Sequence, residues 1–140
     1  MTQPHPWDAG APDGVHIWRT LGYRFAKGRE DRIAIEWDAG PEYAFPNGGR
    51  TIVHGGMVTT LLDSAMGHAC LARLGPDETF LTADLHVDFY RAATPGMLHA
   101  EAEVRHQSRR VMFCEASLHD AEGVLLASAR CTQIVRSAGA

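Results

Sequence analysis

An apolar segment of this chain begins with two glycines and contains one acid, a combination that can bind a ligand or react with it. His54, Gly55 and Gly56 open the segment, and only Asp63 and His68 carry an acidic or basic side chain within it. Burying an unpaired carboxylate is costly, so Asp63 either faces water at a cleft or is used by the protein. It could act as a nucleophile or general base, or it could cap a strand or pair with an arginine.

The apolar segment is predicted to be a helix over residues 55–74. Val58, Leu61, Leu62, Ala65 and Met66 recur at helical spacing. The first N–H groups of a helix lack partners and carry partial positive charge, and glycine lets a ligand approach them closely. The glycine pair could therefore polarise a carbonyl group, or it could simply permit a tight turn into the helix.

The segments around the helix are typical of strands. Two come before it, and a long connection over 38–53, with two prolines and three glycines, separates them from it. Four strands at hairpin spacing follow it. Strand 80–90 has the cleanest alternation, which puts Leu81 and Leu85 on one face and Thr82 on the other. The predicted strands cover residues 21–26, 32–37, 80–90, 98–105, 111–119 and 124–135.

This order of elements favours an α+β fold in which a curved antiparallel sheet of about six strands wraps around one long helix. Residues 1–20 are predicted to form an N-terminal arm with a short helical turn near Trp18. Residues 21–136 form the domain and 137–140 a tail. The outward strand faces carry apolar members such as Val111 and Phe113, so a partner subunit is expected to cover part of the outer sheet.

The composition excludes several function classes. The net charge of -4 over 140 residues gives no general argument for nucleic acid or an anionic membrane as a partner. The chain shows neither a signal-peptide pattern nor a run of about 20 apolar residues. Three scattered cysteines indicate reduced, buried thiols, and together these features point to the cytoplasm. The histidines form no recognisable ligand set, so no metal is expected.

Three motifs carry a family resemblance. An acid, Asp63, follows nine positions after the His of His54-Gly55-Gly56, a Thr-Ala-Asp-Leu-His-Val-Asp-Phe-Tyr-Arg strand covers 82–91, and Glu-Gly-Val-Leu-Leu-Ala-Ser-Ala covers 122–129. With these motifs the chain resembles the hotdog fold over residues 21–135. Within that fold it resembles the phenylacetyl-CoA (PaaI-type) acyl-CoA thioesterases.

The resemblance implies hydrolysis of an aryl- or medium-chain acyl-CoA to the free acid and CoA, with no cofactor because CoA is part of the substrate. Asp63 would be the nucleophile or general base, while an N–H of Gly55 or Gly56 would polarise the thioester carbonyl. Three further residues are predicted to be catalytic. His54 would orient the loop or bind near the carbonyl, and Asn47 would bind the carbonyl or water. Thr82 would position the water or the carboxylate. Asn47 stands seven residues before His54, whereas the family places an Asn about six before it.

The resemblance also implies a homodimer with shared active sites, associating further into a dimer of dimers (a homotetramer). In the family, the helix start of one subunit faces the acid of the other. The predicted helix favours the same arrangement, because Asp63 lies ~10 Å or more beyond Gly56 along the axis. One subunit would struggle to bring both groups onto one thioester.

Substrate contacts can also be predicted. Tyr43, Phe45, Leu62 and Met66 are expected to line the acyl pocket, with core packing as the alternative for the last two. Three arginines are expected to bind the CoA phosphates, with a solvated hairpin tip as the alternative for each. They are Arg91, Arg109 and Arg110.

Two other functions are compatible with the fold. A hotdog hydratase or dehydratase needs a His with an acid around an enoyl thioester, and the Gly55 and Asp63 arrangement fits hydrolysis better. A non-catalytic acyl-CoA-binding or sensor protein would not need Asp63, and the chain carries no appended DNA-binding segment.

Overall fold

The structure, a computed structural model, describes residues 16–137. Residues 1–15 of the predicted arm and 138–140 of the predicted tail lie outside the described residues. The helices are α1 (His16–Leu21) and α2 (Gly55–Leu71). The strands are β1 (Arg24–Lys27), β2 (Ile33–Ala39), β3 (Ala44–Asn47), β4 (Arg50–Val53), β5 (Glu78–Phe89), β6 (Gly96–Gln107), β7 (Val111–Asp120) and β8 (Leu125–Ser137).

Six of these strands form one antiparallel sheet around helix α2, which confirms the predicted α+β hotdog architecture. The strand order is β1-β2-β6-β7-β8-β5. The inner face of the sheet packs on α2, whose Leu61, Leu62 and Met66 are completely enclosed. Each such side chain contributes roughly 1.5–3 kcal/mol to folding. The helix ends at Leu71, three residues earlier than predicted, with Ala72 as its cap.

The connection over 38–53 is not the long loop that the sequence predicts. It contains a short 3-10 turn and then a separate two-stranded hairpin, β3–β4. Gly48 and Gly49 form the hairpin tip, with φ angles of +58° and +79°. Positive φ at both central residues is the two-residue turn that suits a twisted hairpin, and glycine adopts it without strain. The hairpin stands beside the start of α2.

Strand β5 contains a β-bulge, so its side chains do not follow the strict alternation predicted for residues 80–90. Thr82 pairs with Gln133 and Leu85 pairs with Cys131, while the register shifts between Thr82 and Asp84. Gln133 and Cys131 are both buried. Because directly paired residues share a face, Thr82 and Leu85 both point to the inner side of the sheet. The sequence places them on opposite faces, since it does not reveal the extra residue, Ala83.

Strand β5 also forms a long open edge of the sheet. It runs for 12 residues and pairs only with β8, whereas β1 at the other edge has four residues. Leu81 is 73% exposed and Phe89 is 55% exposed. The backbone groups on its outer side have no strand partner within residues 16–137. Such an edge is a template for another strand.

A buried acid on the outer sheet face ties a loop to the sheet. Glu101 is only 4% exposed. Its carboxylate accepts hydrogen bonds from the Arg29 backbone N–H at 3.2 Å and from Arg29 Nε at 3.0 Å. His99 Nε2 lies 3.0 Å from the same group. Burial alone would raise the pKa of Glu101, but the bonds from Arg29 and His99 lower it below its ordinary value of 4.5.

Replacing Glu101 by Gln is expected to flatten the acid limb of the stability profile. A lowered pKa means that Glu101 stabilises the fold above pH 4.5 and loses that contribution as the pH falls below it. We expect Glu101→Gln to lower the free energy of unfolding by about 1–3 kcal/mol at neutral pH, as measured by urea denaturation. Glu115→Gln, an exposed control on the same face, should change little. An unaltered pH profile for Glu101→Gln would contradict this assignment.

No helix within residues 16–137 has both the length and the apolar character needed to cross a bilayer.

Candidate active site

The start of α2 presents one backbone donor without a partner. His54 caps the helix, and its Nδ1 accepts the N–H of Gly56 at 2.9 Å. The N–H groups of Met57 and Val58 donate to the His54 carbonyl at 2.9 and 3.1 Å. Among the backbone N–H groups of this first turn, only that of Gly55 has no acceptor within residues 16–137. The His54 cap therefore occupies the Gly56 N–H, one of the two predicted donors, and leaves the Gly55 N–H free to bind a ligand.

That free donor opens onto an apolar cleft of ≈ 290 Å³. The cleft lies between the β3–β4 hairpin, the start of α2 and the end of β5. Its polar lining comes from Gly55, Asn47 and Arg91. Its apolar lining consists of Phe45, Ile52, Val53, Val58, Phe89, Tyr90, Ala92, Ala93, Leu118, Leu126 and Ala127. A small number of polar groups in an apolar cleft is the usual composition of a site for an organic ligand.

Two aromatic rings flank the helix start. A Cβ added at Gly55 would lie 3.5 Å from the Phe89 ring, so glycine brings the backbone close to that ring. The Phe45 ring lies 6.2 Å from the His54 ring at an angle of 71°. His54 thus holds the helix start through its Nδ1 and contacts the hairpin through its ring edge.

Asp63 lies elsewhere on the helix, two turns beyond its start. Its carboxylate is half-buried and makes no hydrogen bond or ion pair with any residue in the described range 16–137. Burial raises the pKa of Asp63 above its ordinary value of 3.8. Gly67 lies one turn after Asp63 on the same face of the helix. A Cβ built on Gly67 would lie 3.5 Å from the Phe80 ring of β5. Asp63 therefore points to the side of the helix that faces the open edge.

A single subunit does not bring the two groups together. Asp63 does not line the cleft, and it lies eight residues beyond Gly55, ~12 Å along the helix axis. On one subunit the Gly55 N–H and the Asp63 carboxylate therefore lie at different places.

The remaining predicted residues divide between the cleft and the core. Asn47 and Phe45 line the cleft. Tyr43 packs its ring against Trp37 at 5.3 Å, and Leu62 and Met66 are completely enclosed. None of these three lines the cleft. Core packing, the alternative for Leu62 and Met66, is what the structure shows.

Thr82 lies on the inner face of β5. Its Oγ1 donates to Gln133 Oε1 at 2.8 Å. The hydroxyl hydrogen is therefore committed, while the oxygen can still accept a bond.

The predicted phosphate-binding arginines lie at two ends of the sheet. Arg91 lines the cleft. Arg109 and Arg110 line a different cavity of ≈ 480 Å³, together with Arg136. Sequence reasoning missed Arg136, and it also missed Phe89 as a lining residue of the cleft. The alternation of strand 80–90 put Phe89 on an apolar face, but exposure at an edge could not be deduced from it.

Among residues 16–137, no three His, Cys, Asp or Glu side chains are grouped so that they could hold a metal ion. The three cysteines, Cys70, Cys114 and Cys131, are free and buried.

Comparison with protein families gives a match to the thioesterase superfamily model over residues 51–127, from the β4 strand to β8. A Pseudomonas aeruginosa protein named as an esterase is 36% identical over 77 residues, which are 54% of this chain and 57% of that protein. The match therefore spans little more than half the length of that relative.

Solved structures share the fold over most of the chain. A protein of the thioesterase superfamily is 32% identical with a TM-score of 0.76, covering 87% of this chain and 90% of the other. A Bacillus halodurans protein solved with CoA has a TM-score of 0.80 at 21% identity, covering 91% and 82%. A phenylacetic acid degradation-related protein of Ralstonia eutropha JMP134 has a TM-score of 0.79 at 24% identity. The match covers 89% of this chain and 93% of the other. The last two likenesses concern the fold alone.

Proposed function

Because the chain belongs to the thioesterase superfamily, as the sequence motifs predict, we propose that it hydrolyses an aryl- or medium-chain acyl-CoA to the free acid and CoA. Thioester hydrolysis is the class of reaction that this membership supports. The observation that carries the finer proposal is the free Gly55 N–H at an apolar cleft. A donor fixed at that place can hold the oxygen of a thioester carbonyl as it gains negative charge.

The proposed active site needs two subunits. The long open edge of β5 suits antiparallel pairing with the β5 of a second copy, which would continue the sheet across a two-fold axis. Asp63 faces that edge, and Gly55 lies beside Phe89 at the end of the same strand. In such a pair the acid of one subunit approaches the cleft of the other. Further association into a dimer of dimers remains part of this proposal.

In the proposed reaction, Asp63 acts on the carbonyl carbon that Gly55 N–H polarises. Either its carboxylate attacks directly, giving a mixed anhydride that water then cleaves, or it takes a proton from the attacking water. In both routes the C–S bond breaks and CoA leaves as a thiol after protonation. The burial that raises the pKa of Asp63 makes its carboxylate more basic and so improves it for either role.

Three further residues have supporting roles in the proposal. His54 holds the helix start so that Gly55 N–H stays free. Asn47, at the hairpin end of the cleft, has an amide that can bind the carbonyl or a water molecule. Thr82 is on the inner face of β5, where its oxygen can accept a bond from the attacking water.

The substrate class follows from the lining of the cleft. Phe45 and Phe89 are exposed aromatic residues that flank it, and exposed rings beside a polar backbone group suit a flat or apolar acyl group. CoA as the carrier is supported by the related fold that was solved with CoA. We assign Phe45 and Phe89 to the acyl group.

The experiment is a panel of aryl-, medium- and short-chain acyl-CoAs followed by release of free thiol. Because the cysteines of the protein are buried, a thiol reagent should report CoA with little background. We expect turnover to be highest for aryl or medium-chain members, and specific activity to fall on dilution as dimers separate. Binding of acyl-CoA without release from any member would favour the non-catalytic alternative instead.

A further inference from the structure

A buried amide lies directly behind the open edge of β5. Gln133 of β8 is 0% exposed and pairs with Thr82 across the two strands. Its neighbours on the inner face of the sheet, Met112, Cys131 and Val135, are buried apolar side chains. Moving an amide from water into such surroundings is costly unless its polar atoms are bonded. An apolar residue of similar size would avoid that cost, so packing alone does not account for the amide.

Two hydrogen bonds orient this amide. Gln133 Oε1 accepts the hydroxyl hydrogen of Thr82 at 2.8 Å. Gln133 Nε2 donates to Cys131 Sγ at 3.3 Å, which keeps the amide oxygen turned towards Thr82. A hydroxyl has only one hydrogen, so Thr82 meets any further partner as an acceptor. Thr82 is exposed in the lone subunit, where water could satisfy its hydroxyl, and the fold therefore does not need Gln133 for that purpose.

Thr82 and Asp63 face each other between β5 and α2. The contact of Gly67 with the Phe80 ring fixes where the helix and the strand touch. Asp63 lies one turn before Gly67 on the same helix face, ~6 Å along the axis. Thr82 lies two residues after Phe80 on the same strand face, ~7 Å along the strand. Because the start of α2 lies beside Phe89 at the end of β5, both displacements point the same way.

The charge of Asp63 also acts on the thiol that bonds Gln133. Cys131 is the acceptor of the Gln133 amide hydrogen. The pKa of Cys131 is raised above its ordinary value of 9.0 by a hydrogen bond with Cys114, by burial and by the negative charges of Cys114 and Asp63. Asp63 therefore lies near the part of β8 that carries Gln133.

We infer that Gln133 is a positioning residue, which fixes Thr82 as a hydrogen-bond acceptor for the water that attacks the thioester. This inference rests on the proposed function. One hydrogen of that water would bond to Thr82 Oγ1 and the other to the Asp63 carboxylate, which leaves an oxygen lone pair for the carbonyl carbon. As the water oxygen bonds to that carbon, Asp63 takes one proton and passes it to the CoA thiolate that leaves when the C–S bond breaks.

The same bond separates the two roles predicted for Thr82. A carboxylate can only accept hydrogen bonds, so Thr82 would need its hydroxyl hydrogen to position Asp63 directly. Gln133 holds that hydrogen. The arrangement therefore favours binding of the water over binding of the carboxylate.

A double-mutant cycle tests the link between Gln133 and Thr82. Gln133→Met keeps the length of the side chain but offers Thr82 no strong acceptor, and Thr82→Val removes the hydroxyl. Each is expected to lower kcat for the best acyl-CoA by roughly tenfold with KM unchanged. Because Gln133 acts through Thr82, the double variant should lose no more than Thr82→Val alone. Losses that multiply in the double variant, or full kcat in Gln133→Met, would overturn the inference.

Two further variants separate positioning from packing. Gln133→Leu, a second apolar replacement, should repeat the loss of kcat, so the result does not depend on the folding of one variant. Ile35→Val removes a methylene from the core at β2, where Ile35 is completely buried, and should lower Tm without lowering kcat. If Ile35→Val lowers kcat as much as Gln133→Met does, reduced stability accounts for both and the inference fails.

The two proposals fail in distinguishable ways. If the wild type releases thiol from no acyl-CoA, the proposed function fails and this inference fails with it. If the wild type turns over acyl-CoA but the losses from Gln133→Met and Thr82→Val multiply, only this inference fails.

Discussion

Asp63→Asn is expected to lower kcat for the best acyl-CoA by roughly 10³-fold, in the range that loss of a general base or nucleophile produces. The amide keeps the shape of the side chain but removes its charge and basicity. Because Asp63 contacts no other charged group in residues 16–137, the substitution breaks no ion pair that the subunit needs. KM for the substrate should change little, since the phosphate and acyl contacts remain.

The stability of the variant supplies its control. Burial raises the pKa of Asp63 above 3.8, so the folded chain holds this proton more tightly than the unfolded chain does. Ionisation of Asp63 therefore destabilises the fold as the pH rises above that value, and Asn avoids this cost. We expect the Tm of Asp63→Asn to equal or exceed that of the wild type, with a larger gain at about pH 8 than at about pH 4. Full turnover by this folded variant would reject a catalytic role for Asp63.

Gly55→Pro is expected to lower kcat by about 10²–10³-fold, the effect of removing one donor from an oxyanion site. Proline lacks the N–H that the structure leaves free. It is tolerated in the first turn of a helix, where that donor is not used for the fold. The preceding His54 has φ -56° and ψ 133°, a conformation that suits a residue before proline. The substitution therefore removes the donor with little change to the helix.

Gly55→Ala is the matched control, because it keeps the N–H. Its Cβ would lie 3.5 Å from the Phe89 ring, an ordinary contact distance. We expect kcat within a few-fold of the wild type for the alanine variant, and circular dichroism to show the same helix content for both. If the proline variant is as active as the alanine variant, the N–H of Gly55 is not the polarising group.

The regular elements were predictable because their periodicity is local. The apolar spacing from Val58 to Met66 predicts α2, and period-two alternation predicts the strands of the main sheet. The β3–β4 hairpin was missed although Gly48-Gly49 is a turn signal, because Pro41 and Pro46 just before it suggested a loop. The bulge at Ala83 has no such signal, since it depends on how β8 pairs with β5.

The candidate site was only partly predictable for a related reason. His54 and Gly55 are close in sequence, so their motif indicates the helix start and its donors. The motif does not say that the His54 ring consumes the Gly56 N–H, which follows from side-chain geometry. Arg136 lines the cavity of Arg109 and Arg110 only because β8 brings it beside the β6–β7 turn.

The open edge of β5 has a consequence for the lone chain in solution. Strands with free backbone groups and exposed apolar side chains can stack into cross-β fibrils, and Leu81 and Phe89 belong to such a strand. Asp84 and Asp88 lie on the same edge, and in-register stacking of many copies would line up their charges in repelling ladders. The repulsion between these acids therefore disfavours open-ended stacking of β5 strands. It does not disfavour the proposed pairing of two β5 strands in a closed dimer.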